Sequence, residues 1–205
     1  IWEQRIKPLV EVNDGILHYE IDDFLRGSGM SEDLAREVIN HLEEMINRYK
    51  DENVINGKRW SFNDKYSLLL TNLTSILRHT IHVDLVRPYF DVDIPDALQC
   101  AAAENRHLTA KDMYQILDNG SEVAINALAQ RSHLTWRTDL PVEIQQAILD
   151  RPHAKHKGHN FHRSLLSLKE LDPTVIANYN PINESEICDI VGNAATTDAR
   201  RLDFL

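Results

Sequence analysis

From residue 31 onward, apolar side chains recur at helical intervals. Leu34, Val38, Leu42, Met45, Ile46 and Tyr49 fall on one face, and Glu43, Glu44, Arg48 and Lys50 lie opposite. That spacing predicts an amphipathic helix. Ser31 is a suitable N-cap, followed by Glu32 and Asp33 in the turn where the helix dipole favours negative charge; Asn56-Gly57 closes the unit with a turn. A second stripe, Tyr66, Leu69, Leu70, Leu73, Ile76, Leu77 and Ile81, predicts a helix that starts near Ser61, where Ser61 to Asp64 resembles a capping box. Pro88 sets its latest possible end. A short polar connection makes an antiparallel pair of the two. Before residue 31 the pattern is weaker. Leu9 to Val12 suits a short strand or extended arm, Ile16 to Leu25 a short helix, and Gly27-Ser28-Gly29 breaks any regular element.

From Asp93 the segments shorten and become alanine-rich. Three stretches of ten residues share one frame: Leu108 to Leu117, Leu140 to Leu149 and Ile182 to Val191. Each opens on an aliphatic residue, closes on two, and carries Met113, Ile144 or Ile187 near its middle. Thr109 and Asn183 suit N-caps, and Pro141 suits position N1. Upstream, Ala101 to Leu108 resembles Ala127 to Leu134, and Val175 to Ile182 fits the same frame. The unit is therefore an apolar helix, a polar corner and a second helix. Such a unit cannot bury its stripe alone, and stacking against neighbours supplies a continuous core.

The phrases AAAENRHLT, ALAQRSHLT and VIANYNPINESEICDIV resemble leucine-rich repeat variant and related HEAT-like α-solenoids over residues 93–205. The resemblance implies a fold and a habit of binding other macromolecules, and it implies no active site. A cysteine-bound iron–sulfur cluster occurs in one such protein. It is not carried over, because Cys100 and Cys188 are isolated and far apart in this chain. The fold class expected is all-α: an N-terminal helical hairpin over residues 1–92, then a short irregular α-solenoid of helix pairs over 93–205.

Charge narrows the partner. The chain has 205 residues with 32 acids against 22 bases, a net charge of −10, which repels a phosphate backbone at long range. Nucleic acid is therefore not the expected partner, and no apolar run is long enough to span a membrane. Cys100 and Cys188, each beside apolar residues, read as reduced buried thiols of a cytoplasmic protein.

One basic island departs from this balance. Arg151, Lys155, Lys157 and Arg163 occur with no acid between Arg151 and Arg163, interleaved with His153, His156, His159 and His162. Imidazoles at this spacing are possible ligands for zinc, nickel or copper. Pro152 and Gly158 oppose a rigid helix presenting them, and no second ligand cluster accompanies them, so no metal and no cofactor is expected. His79, His82 and Asp84 suit a helix end better than a metal site. His107 and His133 occupy equivalent corners and read as structural. A DNA-repair enzyme using Trp60, Trp136, Asp118 and Asp139 conflicts with the net charge. No Gly-rich phosphate loop and no His-Glu-x-x-His motif occurs.

The expected function is non-catalytic: a protein–protein interaction module, adaptor or subunit of a larger, bacterial-style assembly. Trp136, Arg137, Arg151, Lys155, Lys157 and Arg163 are the expected contact residues, with Trp136 as the anchor. The alternative is nucleic-acid or phosphate binding through the basic, His-rich stretch 151–163.

Overall fold

The computed structural model describes residues 2–8, 24–26, 29–55, 65–130, 140–152, 160–168 and 171–204. Among them every regular element is helical, so the chain is all-α. It divides into two units, 1–89 and 90–205.

The first unit is built on α1 (Glu32–Ile55) and α2 (Lys65–His79), which pack against each other. Ser31 Oγ accepts from Leu34 N at 3.4 Å at the start of α1. Ala35, Val38, Leu42, Met45 and Ile46 of α1 are buried, as are Leu69, Leu73, Ile76 and Leu77 of α2. Each such leucine or isoleucine contributes about 1.5–3 kcal/mol by leaving water. The α2 helix is enclosed more widely than its stripe requires. Asn72, Thr74 and Ser75 are also buried, and Thr74 Oγ1 returns to the Thr71 carbonyl at 2.8 Å. The helix ends at His79, so Ile81, expected in its stripe, lies beyond it and is exposed. His82 then donates from Nε2 to the Met30 carbonyl at 2.8 Å, which ties the end of α2 to the start of α1.

Trp2 belongs to a π-helical turn, Trp2–Ile6, and is buried. Its indole donates to Glu37 Oε1 at 2.9 Å, stacks on Phe24 and meets His41 edge-on. An aromatic ring with one polar handle thus pins the amino-terminal turn to α1.

The second unit is a succession of short helices: α3 (Asp96–Ala103), α4 (Ala110–Asn119), α5 (Glu122–Ala129), α6 (Val142–Leu149), α7 (Phe161–Leu166), α8 (Pro173–Asn178), α9 (Glu184–Gly192) and α10 (Asp198–Leu202). Contacts sort them into rows. In the first row α3 meets α5, α5 meets α7 and α7 meets α9; in the second, α4 meets α6 and α6 meets α8. The core lies between the rows, with α4 touching α5, and α6 touching both α5 and α7. Leu108, Leu140 and Leu171, each just before a second-row helix, are buried.

These rows correct the third repeat. Ile182 to Val191 was expected to match Leu108 to Leu117 and Leu140 to Leu149. The latter two contain α4 and α6, in the second row, whereas Ile182 to Val191 contains α9, in the first. The second-row counterpart is α8, preceded by Leu171-Asp172. Helices of both rows open on a cap and close on aliphatic residues, so a pattern of that kind does not reveal the row to which a helix belongs.

Side-chain caps define most starts. Thr109 and Asp112 form a reciprocal capping box on α4, and Ser121, Asn160, Asp172, Asn183 and Thr197 cap α5, α7, α8, α9 and α10. Each satisfies an amide that the helix leaves without a partner. Pro95 and Pro141 occupy the cap position of α3 and α6, so Pro141 stands one place before the expected N1.

Candidate interaction surface

Three buried amides hold successive helices of the second unit together. Gln99 on α3 donates to the Ile94 carbonyl at 2.6 Å and accepts from Ser121 N, the cap of α5, at 3.1 Å. Gln145 on α6 repeats the device in the other row: it donates to the Leu140 carbonyl at 2.8 Å and accepts from Asp172 N, the cap of α8, at 2.9 Å. Asn193, just after α9, donates to the Leu166 and Leu168 carbonyls at 2.7 Å each and accepts from Ala195 N at 2.9 Å. A carboxamide both donates and accepts, so it can bridge two backbone segments in a seam that water does not enter.

These seam residues went unrecognised in the sequence. Their only signal is a polar side chain inside an otherwise apolar helix, as with Gln99 before Ala101, Ala102 and Ala103. Along the first row the ties continue on the half-exposed edge. Ser164 Oγ on α7 donates to Asn126 Oδ1 on α5 at 2.9 Å and accepts from Gln130 at 3.2 Å.

The expected contact residues separate. Arg163 is exposed on α7, and its Nε lies 2.7 Å from Asp189 Oδ2 on α9. The Asp189 carboxylate holds the guanidinium pKa above its usual value. Arg163 is therefore a tie between first-row helices. Arg151 follows α6, half-buried, with no ion pair among the described residues. Trp136, Arg137, Lys155 and Lys157 lie outside the described residues, as do His153, His156 and His159. His162 parts company with the other histidines: it is buried in α7, its Nε2 lies 3.2 Å from the Ile148 carbonyl, and its ring meets Phe161 and Tyr179. Among the described residues no three His, Cys, Asp or Glu side chains gather as a metal site requires.

Tyr179 extends this buried group. Its hydroxyl donates to Glu186 Oε2 at 2.9 Å, and the same oxygen accepts from Ile182 N at 3.0 Å. Burial first, and the carboxylate second, push the Tyr179 phenol above the ordinary tyrosine range. Cys188 is exposed and Cys100 half-buried, so the expectation of two buried thiols is corrected.

Two of the first unit's cavities are lined by described residues. One, of about 440 Å³, is lined by Lys7, His41, Glu44, Met45, Arg48 and Tyr49. Its cations are neutralised locally, Lys7 by Glu3 at 3.0 Å and Arg48 by Glu44 at 3.5 Å. The other, of about 160 Å³, lies beside Tyr89, whose hydroxyl donates to Glu43. Burial and then Glu43 raise that phenol too. His82 lies past the end of α2 with its Nε2 2.8 Å from the Met30 carbonyl, and His107 lies at a corner where its amide donates to Asn105 Oδ1 at 2.8 Å and its ring accepts from Arg106 Nε at 3.0 Å. Asp118 is exposed at the end of α4; Trp60, Asp139 and His133 lie outside the described residues.

What remains outward on the second row is apolar in part. Tyr114 on α4 and Val142 on α6 are 40% and 43% exposed on helices that touch each other. No helix among the described residues is long and apolar enough to cross a membrane. No protein-family model, curated protein or solved structure matches the chain.

Proposed function

We propose that residues 90–205 form a protein-binding module of the α-solenoid kind, serving as an adaptor or as a subunit of a larger assembly. One observation carries this: the polar side chains within the rows are consumed in holding helix to helix, while Tyr114 and Val142 stand outward on adjoining second-row helices. Large apolar side chains kept in water on a rigid scaffold are the usual anchors of a partner surface. Trp136 and Arg137, in the stretch joining α5 to α6, and Arg151, Lys155 and Lys157, in the stretch joining α6 to α7, are the proposed flanking contacts. Arg163 drops from that set because Asp189 already engages it. Its loss also weakens phosphate binding, which rested on four cations and now has three.

Affinity capture from the native host tests the module. The wild-type chain is expected to retain a protein partner in stoichiometric amount, and the Tyr114→Glu/Val142→Glu double variant, with unchanged circular dichroism, to lose it. Trp136→Ala is expected to weaken the same complex. Retention of the partner by all of these variants would remove both surfaces. A complex with nucleic acid instead, dissolving as salt rises, would replace the proposal with the phosphate alternative.

A further inference from the structure

Arg36, Ile39, Asn40 and Glu43 recur at helical intervals along one face of α1 and line the cavity of about 160 Å³ from that side. Asp84, Leu85 and Tyr89 line it from the other. Two tight turns carry them: Val86 N donates to the Val83 carbonyl at 2.9 Å, and Tyr89 N to the Val86 carbonyl at 3.0 Å. Ile39, Leu85 and Tyr89 are buried and form the floor, while Arg36, Asn40 and Asp84 are exposed and form the rim.

The charges around this cavity are not equally satisfied. Arg36 is held by Glu32 at 2.6 Å, and Asp84 by Arg87. Glu43 differs. It is half-buried, its Oε1 accepts from the Tyr89 hydroxyl, and it has no ion pair among the described residues. A neutral phenol satisfies one oxygen and leaves the negative charge uncompensated. Drawing a carboxylate out of water without a cation is costly, so a cation entering the cavity gains an attraction that the fold leaves unused. Asp84, at the mouth, adds to the negative field although Arg87 engages it. An anion would meet Glu43 and would find Arg36 already taken.

Volume and lining restrict the cation further. The space equals about five water volumes of about 30 Å³ each, and its floor has an apolar part that a hydrated metal ion would not use. We propose that this cavity binds a primary ammonium group on an unbranched stem of about four carbons, which is about five heavy atoms. The ammonium donates to the second Glu43 oxygen and to the Asn40 carbonyl oxygen, and the stem lies on Ile39, Leu85 and Tyr89. An ammonium has three donors and no acceptor, which suits two oxygen acceptors and leaves one donor for solvent at the mouth. A free alkylamine and a lysine side chain share this chemistry. The site belongs to the first unit, so it stands or falls apart from the module proposed above.

Titration of the ¹⁵N-labelled full chain by NMR, at matched pH and ionic strength, tests the site. With n-butylammonium, saturable shifts are expected in the amides of residues 39–43 and 84–89, with Kd about 1 mM or tighter. n-Butanol, of the same size and neutral, is expected to bind at least about tenfold more weakly, and n-butyrate not to bind. Glu43→Gln keeps an acceptor for the Tyr89 hydroxyl and removes the charge; it is expected to weaken n-butylammonium at least about tenfold with unchanged circular dichroism. Asn40→Trp, at an exposed site, is expected to obstruct the cavity and abolish the shifts. Nα-acetyl-lysine amide separates the two sources: equal or tighter binding than n-butylammonium assigns the site to a lysine of a protein, and weaker binding assigns it to a free amine. No saturable shift by about 20 mM n-butylammonium would overturn the proposal. So would n-butanol or n-butyrate binding as well as the amine, or affinity indifferent to both Glu43→Gln and Asn40→Trp.

Discussion

Asn193 offers the sharpest check on the seams. Its Nδ2 serves two carbonyls, Leu166 and Leu168, and its Oδ1 accepts from Ala195 N, all within buried surroundings. Asn193→Asp keeps the volume and the acceptor, removes both donors and sets a carboxylate against two carbonyl oxygens. Two lost hydrogen bonds account for about 2 kcal/mol, and carbonyls left without partners add about 1 kcal/mol or more. The expected loss is thus about 3 kcal/mol, at least as large as for Asn193→Ala, although Asp is the closer match in shape. Desolvation and the facing carbonyls raise the introduced carboxyl's pKa above about 3.9, so the deficit against wild type narrows as pH falls and the protonated acid donates one bond again. Urea unfolding followed by far-ultraviolet circular dichroism reads the difference. A variant within about 0.5 kcal/mol of wild type at neutral pH would show that the seam is held by packing alone.

Two further outcomes follow from the local chemistry. The Tyr89 and Tyr179 phenols have raised pKa values in the folded chain; their stabilising effect is complete below the unfolded value of about 10 and declines as pH rises beyond it. Two of the six tyrosines are therefore expected to ionise only as helical ellipticity is lost, and a complete spectrophotometric titration with ellipticity intact would contradict this. Thr109→Ala removes one side of the α4 capping box and is expected to cost about 1 kcal/mol, with Thr109→Ser restoring most of it; equal melting temperatures for the two variants would mean that the cap contributes little.

Periodicity alone determined the helical class, the pairing partners' apolar stripes in α1 and α2, and several caps. A 3.6-residue repeat and a Ser, Thr or Asn before it are local features, and local sequence encodes them directly. Ser31, Thr109 and Asn183 were legible for that reason. Which row a short helix joins was not legible, because α8 and α9 offer similar apolar patterns and only their neighbours distinguish them. The same holds for single side chains. Arg163 and His162 are adjacent in a basic, histidine-rich stretch, yet one turns outward to Asp189 and the other inward beneath Ile148 and Tyr179. Helical geometry sends adjacent residues to different faces, and the presence of α9 on one side and α6 on the other decided what each met. The buried bridges of Gln99, Gln145 and Asn193 depend on backbone groups five to 27 residues away. Such contacts exist only once the rows have stacked, so tertiary structure alone assigned them.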